Sequence, residues 1–484
     1  MSKLTDSQVD LIANKVASLL NPNQSASPVA TPVVPDLGQS GSTSYGVFAT
    51  VDAAVKASRV AYEALNTLTL EQRTTIIDSI RSKMRIHGED LARKAHTETG
   101  MGRFEDKILK NQLVTDKTEG PEALTPKALS GDRGLTLTEW APYGVIGSIT
   151  PSTNPTSTII CNTIGMLAAG NGVVFNVHPM AKEVSILNVE LLNEAIIEAG
   201  GPPNLVTTVA SPTIKSANEL MKHKGIDLLV VTGGEAVVKA AMSSGKRALC
   251  AGPGNPPVVV DETANIEQAA RDIVRGAGMD NGIICVLEKE IFVVESVADQ
   301  LLAAFPRHGA VVLKPHEVNQ LEKVIFEKTN GMRKPGVMNK EMIGKNIQYI
   351  LSKIGMQVAD DVRIAVLPVS VGHPLIWTEQ LMPVLPLARV PNVDQAIDLA
   401  KAAEHNFRHT AVIHSKNLDN LSRMARVMGC SIFVKNGPTL AGLGYGGEGY
   451  TSFSIASPTG DGLTGPHSFV RPIRCVLVDN FRIV

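Results

Sequence analysis

Short β-branched runs alternate with helical segments from Tyr45 onward, and this alternation restricts the possible folds more than any other feature of the chain. Apolar residues at helical spacing predict helices over 51–68 and 70–96. A Gly/Pro-rich break at 252–257 separates two sets of apolar runs, so the sequence predicts a doubly wound α/β protein with two lobes and a cleft between them. Buried parallel strands are predicted at 144–150, 172–177, 205–210, 227–234, 256–262, 289–296, 309–315 and 363–369.

Composition and charge exclude several classes of partner. The 484 residues are 44% hydrophobic and 19% charged, which predicts a globular chain of about two to four domains. Lysine and arginine total 46 against 47 acidic residues, and the net charge of −1 gives no field that would attract nucleic acid or anionic lipid. No apolar run of about 18–20 residues and no secretory signal are found, so we expect a soluble cytoplasmic protein without a membrane partner. The cysteines are odd in number and form no CxxC pair, which is typical of free thiols: Cys161, Cys250, Cys285, Cys430 and Cys475.

The first 44 residues differ in character from the rest. Residues 1–20 place apolar side chains along one helical stripe, and Thr5 and Gln8 can form a capping box at its start. Residues 21–44 carry four prolines and one charge, which is typical of a flexible linker. Such a helix either packs on its own protein or docks on a larger partner, and the long tether favours docking.

Two turns at strand ends are candidates for ligand binding. Gly233 and Gly234 lie between an apolar strand and a helix that begins near Glu235, where backbone N–H groups can receive a pyrophosphate. The GxGxxG pattern is absent, so a purely structural turn stays open. A second turn, over 150–154, exposes Ser152, Thr153 and Asn154 as hydrogen-bond donors, or forms a local turn only, and the next strand ends at His178 and Pro179.

Cys285 and a glycine-rich segment are the remaining candidates. Cys285 follows a Gly-containing loop and precedes a strand, so the thiol is either exposed to a cleft and partly ionised or an inert part of the core. The segment 437–462 is rich in glycine, which predicts either close approach to a ligand or another chain, or tight turns. The residues alone leave these alternatives open.

A series of motifs occurs in a fixed order along the chain: SITPSTNPTST, VTGGEAV, GPGNPPVVVDETA, MDNGIICVLEKE, EQLMPVLPL, SIFVKNGP and GGEGYTSFSIASPTG. This series resembles the CoA-acylating branch of the aldehyde dehydrogenase superfamily over residues 45–484. Within that branch the chain is most similar to the acetaldehyde and propionaldehyde dehydrogenases of bacterial microcompartments for ethanolamine or propanediol use. The resemblance implies an aldehyde dehydrogenase fold, with a Rossmann-like dinucleotide-binding lobe, an α/β catalytic lobe and a β oligomerisation arm.

The resemblance implies roles for individual residues in the reaction. Cys285 matches the nucleophile that forms a thioester. Thr153 takes the place of the asparagine of the oxyanion hole, which can instead use the Cys285 N–H with Thr153 or Asn154. Cys250 stands where hydrolytic members carry a glutamate that activates water, and the loss of this base fits transfer of the acyl group to CoA. A different acidic residue that activates water is the alternative.

The resemblance also implies a cofactor site. Gly233 and Gly234 match the residues at the adenosine phosphate, His178 lies near the adenosine ribose, and Glu379 matches a glutamate that holds the nicotinamide ribose. The remaining predicted cofactor residues are Thr150, Pro151, Ser152, Pro179, Ala251 and Leu381. NAD and coenzyme A are the expected cofactor and co-substrate. No metal is expected, and His405 and His409 are interpreted as surface or boundary histidines on a helix despite their metal-ligand spacing.

We therefore predict an enzyme that oxidises acetaldehyde or propionaldehyde to acyl-CoA with reduction of NAD, in the lumen of a bacterial microcompartment. Residues 1–20 would bind shell proteins, and a homodimer or homotetramer is expected, with a strand at 475–484 as an exchanged arm. A hydrolytic aldehyde or semialdehyde dehydrogenase and an inactive shell-binding scaffold are the alternatives. The predicted domains are an encapsulation helix (1–20), a linker (21–44), an NAD-binding domain (45–253, with part of the arm near 120–140), a catalytic domain (254–447) and a C-terminal return with the oligomerisation strand (448–484).

Overall fold

A computed structural model describes residues 45–483. The predicted encapsulation helix and linker, 1–20 and 21–44, lie outside the described residues. The helices are α1 Val51–Leu65, α2 Leu70–Thr99, α3 Phe104–Lys117, α4 Pro155–Ala168, α5 Lys182–Glu198, α6 Ile214–Lys222, α7 Glu235–Met242, α8 Ile266–Ala277, α9 Glu295–Ala304, α10 Pro315–Ile325, α11 Ile347–Ser352, α12 Val393–Ala403 and α13 Leu418–Met428.

Twenty strands accompany these helices in the described part of the chain. They are β1 Val47–Phe48, β2 Lys127–Gly131, β3 Gly134–Pro142, β4 Val145–Ile149, β5 Gly172–Asn176, β6 Val206–Val209, β7 Leu228–Thr232, β8 Ala248–Ala251, β9 Pro257–Val260, β10 Glu290–Val294, β11 Ala310–Val312, β12 Phe326–Lys328, β13 Val337–Met338, β14 Ile364–Pro368, β15 Val384–Val390, β16 Thr410–His414, β17 Ile432–Lys435, β18 Ile455–Ala456, β19 Gly462–Leu463 and β20 Val470–Val478. All eight strands predicted from the sequence are confirmed.

Local sequence signals explain how the helices begin and end. The side chain of Thr69 caps α2 in a capping box with Gln72, and the helix stops at Gly100, whose φ of 63° is left-handed. Every residue of α4 is buried, because this apolar helix packs against α2 and α5 as well as the sheet. It therefore holds the preceding turn, at 150–154, in a fixed position.

The first sheet is parallel, in the order β1-β6-β5-β4-β7-β8. The chain moves outward from β4 in one direction through β5 and β6, and then returns to the other side of β4 to form β7 and β8. The strand order thus reverses between β4 and β7, and a ligand crevice opens beyond the carboxyl ends of strands at such a point. This topology brings the turn after β4 and the Gly233-Gly234 turn after β7 to one edge.

The second sheet is also parallel, in the order β11-β14-β15-β10-β9-β16-β17. Its four neighbouring strands β15, β10, β9 and β16 are each preceded by a segment of interest. Cys285 comes before β10, Glu379 before β15, the Gly252–Pro256 segment before β9, and His409 directly before β16. These residues therefore meet at the amino edge of this sheet, and not at the carboxyl edge that the general rule for α/β sheets predicts.

A three-stranded antiparallel sheet, β2-β3-β20, joins the region near 120–140 to the C-terminus. The predicted C-terminal strand is present but begins earlier, at Val470, and ends at Val478. Several apolar side chains of this sheet are exposed: Leu129, Ile473, Val476, Leu477 and Val478. The predicted domain boundaries stay predictions.

One element was predicted wrongly. The histidines His405 and His409 do not lie on a helix, because α12 ends at Ala403 and His405 adopts a left-handed φ of 56°. Nor is His409 at a surface or boundary, since only 1% of it is exposed. The Asn-Phe-Arg turn between them leads into β16, and tertiary packing overrides the helical propensity of the segment.

Candidate active site

A cleft of about 740 Å³ lies where the carboxyl edge of the first sheet meets the loops that enter the second sheet. The glycine-rich C-terminal segment closes part of it through Leu443, Ser452, Phe453 and Ile455. Most of the predicted site residues line this cleft: Thr150, Pro151, Ser152, Thr153, Asn154, His178, Pro179, Gly233, Gly234, Cys285, Glu379 and Leu381.

Ala251 is the exception among the predicted cofactor residues. It is buried on β8 and is not part of the described cleft wall, which passes instead through Gly252 and Pro253. The Ala251 carbonyl accepts a hydrogen bond from the Gly233 N–H at 3.1 Å. Ala251 therefore supports the Gly233-Gly234 turn from behind.

The segment before Cys285 has an unusual backbone. Asp280 and Asn281 adopt left-handed φ values of 45° and 55°, and Gly282 follows at 73°. The buried ammonium of Lys289 donates to the Gly282 carbonyl at 2.5 Å and to the Ile284 carbonyl at 3.5 Å. The strand β10 thus reaches back and fixes the loop that carries the thiol.

Gly254 allows the closest packing in the site. A Cβ atom at this position would lie 2.7 Å from the Cys285 carbonyl oxygen and 3.1 Å from the His409 ring. Only glycine fits there without a shift of the backbone. The Gly254 N–H also donates to Glu379 Oε1 at 3.1 Å, so this residue joins three loops of the site.

The Cys285 thiol is half-buried, and its pKa is strongly perturbed. Burial and then the charge of Glu379 raise the pKa of Cys285 to about 12, while Lys289 opposes this shift. The structure does not favour the partial ionisation that the sequence suggested. The thiol therefore carries its proton near neutral pH.

Glu379 is the acidic side chain whose charge acts on the Cys285 thiol. Burial raises the pKa of Glu379, and the Lys289 charge and the Gly254 N–H oppose the shift. Within the described cleft wall the acidic residues are Glu235 and Glu379. A carboxyl of raised pKa beside the thiol can accept or return a proton.

Cys250 has the environment of a core residue. It is fully buried on β8, and burial raises its pKa to about 11. Cys250 therefore fills space in the core. The site therefore lacks a carboxylate at the place where the resemblance puts the water-activating glutamate.

The start of α7 fits a dinucleotide phosphate. Gly234 is the N-cap of α7, and among residues 45–483 no atom lies within 4 Å of where its Cβ would be. The open position and the positive end of the helix both favour an anion at this wall of the cleft. His178 lies on the same wall, half-buried, and burial lowers the pKa of its imidazole.

Several buried charged residues of the site escaped the sequence analysis. Glu288, Lys289 and Glu290 are each at most 2% exposed, and His409 has no partner for Nε2 among the residues that the structure describes. Burial and the Lys289 charge lower the pKa of His409 to about 4, so its imidazole is neutral. The sequence does carry a signal for them: three consecutive charged residues stand at the start of an apolar strand, where a buried strand normally has none.

Two general findings concern the part of the chain from 45 to 483. It contains no group of three or more His, Cys, Asp or Glu side chains placed to hold a metal ion. No helix in the same range is long and apolar enough to cross a membrane.

Comparisons with known proteins agree with this geometry. The model of the aldehyde dehydrogenase family matches residues 23–314. Acetylating acetaldehyde dehydrogenase EutE of Salmonella typhimurium is 49% identical over 452 residues, which cover 93% of this chain and 96% of that protein.

Solved structures show the same similarity. The propionaldehyde dehydrogenase of Rhodopseudomonas palustris with bound propionyl-CoA has a TM-score of 0.87 and 48% identity, over 90% of this chain and 95% of that one. A propionaldehyde dehydrogenase from the fucose utilisation microcompartment of Clostridium phytofermentans has a TM-score of 0.88 and 44% identity, over 91% of this chain and all of that one.

Proposed function

The chain belongs to the aldehyde dehydrogenase family, and on this premise we propose that it oxidises a short aldehyde to an acyl-CoA with reduction of NAD. The observation that carries the proposal is the presence of the Cys285 thiol and the open Gly233-Gly234 helix start on the walls of one cleft. Acetaldehyde and propionaldehyde are the substrate candidates, because the relatives are named for the oxidation of these two aldehydes.

The first half of the reaction forms a thioester on Cys285. The sulfur attacks the aldehyde carbon, the C=O π bond breaks, and the thiol proton passes to the former carbonyl oxygen, which becomes the hydroxyl of the thiohemiacetal. During the attack this oxygen receives hydrogen bonds from Asn154 or Thr153 and the Cys285 N–H. NAD, when bound in the cleft, would supply the acceptor for the hydride that leaves this carbon. The hydroxyl proton departs at the same time, and Glu379, which lines the same cleft as the thiol, is the candidate acceptor.

The second half transfers the acyl group to CoA. The CoA sulfur bonds to the thioester carbon, the bond to the Cys285 sulfur breaks, and the proton of the CoA thiol passes to that sulfur, which restores the Cys285 thiol. The balance is aldehyde, NAD⁺ and CoA to acyl-CoA, NADH and a proton. Cys250 supports this outcome over hydrolysis, because a buried thiol cannot activate water in the place of a glutamate.

The proposal predicts that NADH formation depends on both CoA and Cys285. Without CoA, the wild-type enzyme should form at most one NADH per active site. Cys285→Ala should form no NADH, whereas the matched variant Cys250→Ala should keep most of the activity because Cys250 only fills space. Stopped-flow absorbance at the NADH band measures all three.

Two outcomes would contradict this function. Sustained turnover without CoA would favour a hydrolytic dehydrogenase. Failure of the wild-type protein to form NADH from any short aldehyde would favour an inactive scaffold.

We also propose that the enzyme works as a homodimer or homotetramer inside a microcompartment of the cytoplasm, and that residues 1–20 bind the shell. The exposed apolar side chains of β2 and β20 support self-association through the three-stranded sheet. The microcompartment origin of one relative supports the location. Unchanged co-purification with shell proteins after deletion of residues 1–20 would contradict the proposal that these residues bind the shell.

A further inference from the structure

A buried lysine, Lys110 of α3, contacts the candidate site from behind. Only 3% of this residue is exposed. Its ammonium donates to Asn154 Oδ1 at 2.7 Å and to the Thr153 carbonyl at 3.5 Å. It also forms an ion pair with Asp280, which precedes Cys285 by five positions. One cation therefore links the turn after β4 to the loop of the nucleophile.

The positive charge of Lys110 is neutralised by the buried carboxylate of Asp280. Asp280 also accepts from Lys107 at 3.2 Å and from the Arg103 N–H at 2.6 Å. Burial alone would raise the pKa of Asp280, but the charges of Lys107 and Lys110 hold it below the ordinary value. The carboxylate is thus a fixed anchor for both lysines.

The ammonium also determines which end of the Asn154 amide faces it. A lysine only donates hydrogen bonds, so the atom that it contacts must be the amide oxygen. The Asn154 NH₂ group is then turned away from Lys110, and it lies 3.3 Å from Thr153 Oγ1, a residue of the cleft wall. Without this contact, either end of the amide could face the cleft.

We infer that Lys110 is a positioning residue that holds the Asn154 N–H toward the cleft, where it donates to the oxygen of the aldehyde as Cys285 attacks. This inference rests on the proposed function for its chemistry, while the orientation of Asn154 rests on contacts alone. Lys107 provides a matched control, because it pairs with the same Asp280 but makes no described contact with Asn154.

The kinetic experiment compares Lys110→Met, Lys107→Met, Asn154→Ala and the double variants of each lysine with Asn154→Ala. Loss of one oxyanion donor typically lowers kcat by about 10²-fold. We expect Asn154→Ala and Lys110→Met to lower kcat to this extent, with the KM for NAD unchanged. Adding Lys110→Met to Asn154→Ala should cost less than about threefold more, because both changes remove the same donor.

The Lys107 series separates positioning from stability. Lys107→Met should lower the melting temperature in the same way as Lys110→Met, yet change kcat by less than about fivefold. Where Lys110→Met does not fold, Lys110→Gln serves in its place, because it removes the ammonium but leaves a polar amide near Asp280, which keeps Lys107 as its ion-pair partner. The inference would be overturned if Lys110→Met lowered kcat by the same factor in the wild-type protein and in Asn154→Ala. It would also be overturned if Asn154→Ala left kcat unchanged.

A crystal structure of Lys110→Met tests the orientation without any catalysis. We expect the Asn154 side chain to rotate or to lose its order, and to keep its place in Lys107→Met. An unmoved Asn154 in Lys110→Met would overturn the inference. A wild-type protein that forms no NADH would refute the proposed function. The crystal structures of Lys110→Met and Lys107→Met would then still decide whether Lys110 holds the Asn154 side chain in place.

Discussion

At the scale of single residues, the site depends on charges that are buried next to each other. Glu288, Lys289 and Glu290 follow Cys285 closely, and burial raises the pKa of both carboxyls while it lowers that of Lys289. The Lys289 charge opposes the rise at Glu288, Glu290, Glu379 and Cys285. The arrangement costs stability that a solely structural core would keep, which is typical of functional sites.

Glu288 provides a test of this cost through pH. Its carboxyl accepts from the Thr439 N–H at 2.8 Å and the Thr439 hydroxyl at 2.9 Å, and burial raises its pKa from 4.5 to about 7. The unfolded chain loses this proton above about pH 4.5, but the folded protein keeps it until about pH 7. The folded state therefore loses stability as the pH rises through this window.

Glu288→Gln should remove that loss, because the amide has no proton to release: its oxygen accepts from the Thr439 N–H, and its NH₂ donates to the Thr439 hydroxyl in place of accepting from it. The free energy of unfolding of Glu288→Gln, relative to wild type, should rise by on the order of 2 kcal/mol between pH 5 and pH 8. Urea unfolding at several pH values measures it. Glu262→Gln, at an exposed position, is the control and should show no such trend. A constant difference across the pH range would refute the explanation.

At the scale of elements, the two edges that meet in the cleft divide the chemistry. The carboxyl edge of the first sheet supplies the helix start of α7, and the amino edge of the second sheet supplies Cys285, Glu379 and Gly254. The short helix α7 contributes its positive end, while β10 and its neighbours contribute rigid loops. On the proposed function, the first sheet would bind the phosphates of NAD and the second would carry the reacting thiol.

Substitution of Gly234, the N-cap of α7, tests whether the phosphates of NAD bind at the start of this helix. Aspartate and asparagine are equally good N-caps, so Gly234→Asp and Gly234→Asn should both fold and melt within a few degrees of wild type. The Asp charge would repel the phosphates of NAD, and we expect its KM for NAD to exceed that of the Asn variant by about tenfold or more. Initial rates at varied NAD give both values. Equal KM values would place the phosphates elsewhere.

At the scale of the whole molecule, the three-stranded sheet is the described region with the largest set of exposed apolar strand residues. Val476 and Val478 of β20 are 53% and 67% exposed, and they lie on the same face because strand residues alternate. A monomer would leave this surface in water. The whole-molecule prediction is therefore an assembly that buries it.

Charges on β20 should break that assembly. Val476→Lys/Val478→Lys should sediment with the mass of a single chain, because two buried ammonium groups oppose association. The matched variant Val476→Thr/Val478→Thr keeps the strand propensity of branched residues and should stay assembled. Sedimentation velocity distinguishes them. An unchanged mass for the lysine variant would move the interface away from β20.

Much of the fold and part of the site follow from the sequence. The β-branched runs gave all eight predicted strands, because two-sided burial in a parallel sheet demands continuous apolar residues. The cleft residues that the motifs indicated, Thr150 and Leu381 among them, lie in or beside turns, and glycine and proline mark such turns in the sequence. Less regular strands such as β8, β16 and β17 were missed, since short runs without a clear period resemble loops.

The sequence by itself determined the two strand sets and the Gly233-Gly234 turn before α7, because each depends on residues adjacent in the chain. Only the tertiary structure decided the choice of edge in the second sheet, the buried position of His409 and the link between Lys110, Asn154 and Asp280. Lys110 is 44 residues from Asn154 and 170 from Asp280. Such contacts arise from packing between distant elements, and no local pattern encodes which buried charges will meet.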